Sequence, residues 1–123
     1  MTLRIEIPGL PPRECSPNAR VLWMVRAKAT AMYRINGFIS ALQELQRLDI
    51  PSPRYAHAKV DITFVVPDRR RRDKTNFASA FKAGLDGLVD AGIIKDDSYE
   101  CCDDQYHIVY EKGQSKVIVE VEA

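Results

Sequence analysis

The sequence predicts an α+β fold: a small mixed β-sheet with two main helices packed on it, in the order β-α-β-α-β-β. Three observations predict it. Apolar residues alternate with polar ones near the N-terminus, in the middle and near the C-terminus. Two longer segments instead repeat apolar residues at three- and four-residue steps. Proline- and glycine-rich breaks separate these segments. At 123 residues the chain reads as one domain, 1–123, able to bury a core without disulfides or metal.

Residues 2–7, TLRIEI, place Leu3, Ile5 and Ile7 on one side of a half-buried strand. The segment 8–20, PGLPPRECSPNAR, holds four of the seven prolines and reads as a loop, with Pro17 and Asn18 as turn residues. From about Val25 to Arg47, Met32, Ile35, Ile39, Leu42 and Leu45 recur at helical spacing, and Pro51 and Pro53 follow the helix as a linker. Residues 59–66, KVDITFVV, read as a strand with Val60, Ile62, Phe64 and Val66 inward. Residues 76–91 form a second helix, with Phe77, Phe81, Leu85 and Leu88 on one face and Asn76, Ser79, Lys82, Asp86 and Asp90 on the other. Gly92 fits its stop position. YHIVYEK and SKVIVEVEA, joined through Gly113, read as a β-hairpin.

The net charge of +1 conceals an asymmetry. Residues 1–82 carry a net +8 and residues 83–123 a net −7, the pattern of a polyanion-binding surface beside an acidic pocket. No run of about 18 apolar residues predicts a membrane span, and MTLRIEIPGL alternates too much for a signal peptide. Cys15, Cys101 and Cys102 form no CxxC pair and are odd in number, so a reduced, cytoplasmic protein without structural zinc is expected. His57 and His107 lack partners at ligand spacing.

The chemistry concentrates in PDRRRRDKTN, residues 67–76. Arg69, Arg70, Arg71 and Arg72 lie between a strand and a helix, directly before Asp73. Arginine binds phosphate bidentately and keeps its charge. In an extended segment Arg69 and Arg71 point one way and Arg70 and Arg72 the other. Thr75 and Asn76 compete with Asp73 for the helix cap, which leaves the Asp73 carboxylate available for other work. Asp96 and Asp97 follow 23 and 24 residues later, across a helix that returns the chain. Carboxylates converging from Asp73, Asp96 and Asp97 suit Mg²⁺, which keeps several waters and meets substrate phosphates directly. Lys82, on the polar helix face, can reach phosphate or pair with Asp86 at i,i+4.

Taken together, PDRRRRD, Asn76, Lys82, LDGLVDAG and IIKDD resemble the RusA-type Holliday junction resolvases, as do the early PP…SPN loop and AKATAMYR. The resemblance covers nearly the whole chain and is most specific over residues 67–97. It implies a small homodimeric, Mg²⁺-dependent endonuclease (Mn²⁺ as a substitute) that nicks branched DNA, the four-way junction, symmetrically in recombination and repair, and a bacterial or prophage origin. It implies no membrane partner and no small-molecule cofactor. By position it makes Asp73, Asp97 and Lys82 catalytic. Asp73, Asp96, Asp97 and Thr75 become metal-site residues. Arg69, Arg70, Arg71, Arg72, Lys74 and Asn76 become DNA-binding residues. The departure is Thr75, which stands where the family's Asp-x-Asp-Asn motif has its second aspartate. A threonine hydroxyl can ligate Mg²⁺ but brings no charge. A DNA-binding protein of weak or lost catalysis is the alternative.

Overall fold

The computed structural model describes residues 2–123. Four strands, β1 (Thr2–Pro8), β2 (Ala58–Val66), β3 (Cys102–Tyr110) and β4 (Lys116–Glu122), form one mixed sheet in the order β1-β4-β2-β3. The β1/β4 and β4/β2 pairs are antiparallel and β2/β3 is parallel. With the helices α1 (Trp23–Leu48), α2 (Lys74–Ala80) and α3 (Lys82–Asp90), this is an α+β fold.

The strand alternation has the expected consequence. Ile5, Val119, Ile62 and Tyr106 stand in register across all four strands, on the face that carries the core. Arg4, Glu120, Asp61 and Gln105 form the adjacent row on the opposite, polar face. Leu3, Ile5, Ile7, Val60, Ile62 and Phe64 are fully buried, and Val66 nearly so. The helices therefore cover one face, and side chains within period-two strands choose it.

Three expectations need correction. The last two strands are not a hairpin: β4 enters between β1 and β2, and β3 lies on the far side of β2. Gly113, with φ +76°, does make the turn, but the turn crosses the end of β2, where Glu111 N–H donates to Val66 O and Gly113 N–H to Pro67 O. The segment 76–91 is not one helix, since Phe81 (φ −78°, ψ −4°) separates α2 from α3. Phe81 is wholly buried, edge-on to Tyr33 and Phe64. Its N–H still bonds Phe77 O, and its carbonyl still accepts from Leu85 N–H, so the axis is loosened rather than ended.

The third correction concerns α1. The apolar stripe that signals the helix divides: Leu45 is buried and Leu42 packs on the core, but Met32, Ile35 and Ile39 are turned outward, exposed by 58, 53 and 45%. The buried face is Tyr33, Gly37, Ser40, Ala41 and Leu45. Small residues win it because α3 comes very close. A Cβ on Gly37 would lie 2.9 Å from Gly84 O, and one on Gly87 would meet Arg34 O and lie 2.8 Å from Phe38 N. At the end of α3, Gly92 (φ +79°) closes the helix as predicted, with its N–H on Val89 O and that of Ile93 on Leu88 O.

Among the described residues no helix is long and apolar enough to cross a membrane. All three cysteines are free thiols, and burial pushes that of Cys102 up to about 12.

Candidate nucleic-acid interface

The arginine run begins where β2 ends, and it is folded rather than extended. Asp68 accepts from Arg70 N–H at 3.0 Å and from the Arg72 guanidinium at 2.8 Å. Arg72 also donates to the carbonyls of Asp68 and Arg70, both at 3.1 Å. Arg72, and after it the Arg70 backbone, hold the Asp68 carboxyl down at about 2. Strand-like alternation of the four guanidinia is thus replaced by a turn organised on Asp68. Arg69 lies 4.5 Å over the Tyr110 ring, a cation–π contact with β3.

Arg71 and Arg72 then face a cleft of about 590 Å³, together with Asp73 and Asn76. Its opposite wall is the 11–20 loop, which contributes Arg13, Asn18 and Arg20. Phe77 and Ala80 supply apolar surface between the walls. The loop is anchored at several points. Arg26 of α1 donates to Ala19 O at 2.6 Å, Tyr33 OH donates to Gly9 O at 3.3 Å, and Ser16 Oγ accepts from Asn18 N–H at 3.3 Å. Asn18 Nδ2 crosses the cleft to Asn76 Oδ1 at 3.0 Å. Arg13, Asn18 and Arg20 are functional candidates that sequence reading does not find. They sit in an aperiodic proline-rich loop, and only the tertiary fold brings it to residues 71–80. The early SPN triplet is the one signal they leave.

Asp73 caps α2 after all: its Oδ1 accepts from Thr75 N–H at 2.9 Å. Thr75 enters the interaction through its backbone, not its hydroxyl. Lys74 is exposed on the first turn beside it.

A second locus lies further along. Lys82 Nζ bonds Asp86 at 2.7 Å and also Asp97. Asp96 Oδ1 accepts the Asp97 N–H at 2.8 Å. Lys82 lowers the pKa of Asp97, and burial opposes this only in part. Burial disfavours the Lys82 charge, yet Asp86 and Asp97 outweigh it and raise the pKa. Lys82, Asp96 and Asp97 do not line the arginine cleft. Nine residues separate Asp73 from Lys82 along a nearly continuous helical path, on the order of 13 Å of rise.

The fold therefore joins Arg71, Arg72, Asp73 and Asn76 in one place and Lys82, Asp86, Asp96 and Asp97 in another. Among the described residues no three Asp, Glu, His or Cys side chains gather as a metal-binding group. The Asp73 carboxylate is a helix cap and that of Asp97 holds an ammonium, so these residues do not fit a preassembled Mg²⁺ site. His57 bonds Glu100 O and His107 approaches Asp61 at 3.4 Å, and neither lines the arginine cleft. Compared with known proteins, the sequence matches no family model and no curated protein.

Proposed function

We propose that this protein is a structure-selective DNA endonuclease of RusA type, acting on four-way junctions, with the arginine cleft as its grip on the phosphodiester backbone. The observation that carries the reading is the cleft itself. Four arginines from two separate chain segments, Arg13, Arg20, Arg71 and Arg72, face one space beside Asp73. Solvated charge runs spread apart. Here a partly buried Arg72 and a pinned loop hold like charges together, an arrangement that an anionic ligand stabilises. Magnesium, with manganese as its substitute, is the cofactor the resemblance implies, and the chain's own residues offer phosphate binding and separately held carboxylates.

Incubating the protein in excess with a labelled four-way junction and Mg²⁺ or Mn²⁺ tests it. Paired symmetric nicks are expected, and absence of nicking with both ions overturns the nuclease reading. A second reading has its own observation, since Asp73 and Asp97 are both engaged and Thr75 offers only its N–H. On that reading the chain binds junctions without turnover, and Thr75→Asp restores cleavage. Two symmetric cuts require two sites, so a homodimer in the bacterial cytoplasm, encoded by a bacterium or a prophage, belongs to the proposal. Sedimentation of the free protein at twice the mass of the chain is the result that supports it.

A further inference from the structure

The cleft has a size as well as a charge. At about 590 Å³ it falls within the roughly 300–1,000 Å³ of small-molecule sites, room for one nucleotide. Its lining is that of a nucleotide site rather than of a groove that only tracks a backbone. Guanidinia stand on both walls, while Phe77 and Ala80 offer apolar surface between them.

The Asn18–Asn76 bond adds the ability to read a base. One amide donates to the other, at 3.0 Å across the cleft. Whichever way the two amides are turned, the pair keeps one free oxygen and one free NH₂, an acceptor beside a donor. That combination matches the Watson–Crick edge of an unpaired base, the edge by which single-stranded nucleotides are recognised. Base pairs in duplex hide it.

We propose that this cleft is a pocket for a single unstacked nucleotide of the branch point, with the anchored 11–20 loop as its second wall. The proposal rests on the DNA reading above and deepens it: junction selectivity comes from a nucleotide that a branch can release and a duplex cannot. Extrusion costs least where a base has already lost a stacking neighbour. The phosphates on either side meet Arg71 on one wall and Arg13 and Arg20 on the other, while Arg72, paired with Asp68, holds the turn.

The test is metal-free binding by fluorescence anisotropy, with end-labelled four-way junction and end-labelled duplex of the same arm sequence at one salt concentration. The wild type prefers the junction by about tenfold, the scale of one captured base. Asn18→Trp and Arg20→Trp fill the pocket from exposed loop positions and leave the core untouched. In both, the preference falls to within about twofold of unity; Asn18→Trp keeps its duplex binding, whereas Arg20→Trp also weakens duplex binding through its lost phosphate contact. A folded variant that keeps the wild-type preference overturns the pocket and leaves the DNA reading standing, and so does a wild type that binds both DNAs equally. A wild type that binds neither DNA at low salt overturns the DNA reading and the pocket with it.

Discussion

Asp73 carries two duties at one atom group, and they can be separated. As the N-cap of α2 it accepts the Thr75 N–H, and as an acid it stands in a cleft of arginines. Asparagine caps a helix about as well as aspartate, whereas alanine costs about 1 kcal/mol at that position. Asp73→Asn is therefore expected to unfold within a few tenths of a kcal/mol of the wild type, and Asp73→Ala about 1 kcal/mol lower, by urea denaturation. If the carboxylate acts in cleavage, both variants lose nicking alike, so stability and activity diverge only in Asp73→Asn. Equal stability of Asp73→Ala and wild type removes the cap from the account.

Lys82 offers a second residue-level measurement. The Asp97 pKa lies below its ordinary value of 3.8 because Lys82 holds the ionised form. A group depressed on folding contributes stability above its unfolded pKa and loses it as pH falls through the folded value. Lys82, raised above its ordinary 10.5, contributes below that value and loses its contribution as pH rises through the folded pKa. The pair thus stabilises the fold between about pH 4 and pH 10, by no more than about 1 kcal/mol because the lysine is largely exposed. In metal-free buffer, Lys82→Met is expected to return the Asp97 carboxyl resonance toward an ordinary midpoint in an NMR titration. An unmoved midpoint shows that the ion pair is not formed in solution.

At the level of elements, the α1–α3 contact is the most tightly specified. Gly37 and Gly87 let the two helices come together, Gly37 against the Gly84 backbone, and Arg34 bonds Asp90 through two nitrogens at 2.6 and 2.8 Å. Gly87→Ala has no room, because its Cβ would enter the α1 backbone at Arg34 and Phe38. Overpacking of this kind costs about 1–3 kcal/mol, and the upper end is expected here because backbone cannot rotate away as a side chain does. A thermal melt of Gly87→Ala indistinguishable from wild type means that the helices sit further apart. The same contact explains which elements were legible in the sequence. Period-two patterns placed Leu3, Ile5, Ile7, Val60, Ile62 and Phe64 correctly, because a sheet face admits only alternate residues. The α1 periodicity found the helix and its core contacts Leu42 and Leu45, but its first half, Met32, Ile35 and Ile39, faces outward, since a helix apolar on two faces does not say which one the fold uses. Glycines, which carry no hydropathy signal, decided it. Gly113 announced a turn between β3 and β4, but nothing local to that turn records that β2 lies between them. The arginine–Asp73 wall of the cleft was legible as a cluster in ten consecutive residues, whereas Arg13, Asn18 and Arg20 reach it only through tertiary anchors such as Arg26 to Ala19 O.

At the scale of the whole molecule, the charge asymmetry of the sequence is visible at the cleft. Both cleft walls come from residues before Lys82, the basic part of the chain. Of the later acids, Asp86 and Asp97 are taken up by Lys82, while Glu120 and Glu122 lie on the sheet face away from the helices. On the proposed reading, a polyanion is drawn to the cleft by arginines of both walls, which orients its approach before contact forms. The consequence is quantitative. Each phosphate neutralised on duplex DNA contributes about −0.9 to the slope of log K against log salt, so one phosphate for each of Arg13, Arg20 and Arg71, with Arg72 already paired to Asp68, gives a slope of about −2.7. Replacing Arg13, Arg20 or Arg71 singly by glutamine is expected to reduce its magnitude by about 1 and to weaken binding to all sequences alike. Arg47, which pairs with Glu44 on α1 and does not line the cleft, serves as the control, and Arg47→Gln leaves the slope unchanged. If the slope is instead near zero, or responds equally to Arg47, then the cleft is not where phosphates bind, and the folded charge asymmetry serves some other contact.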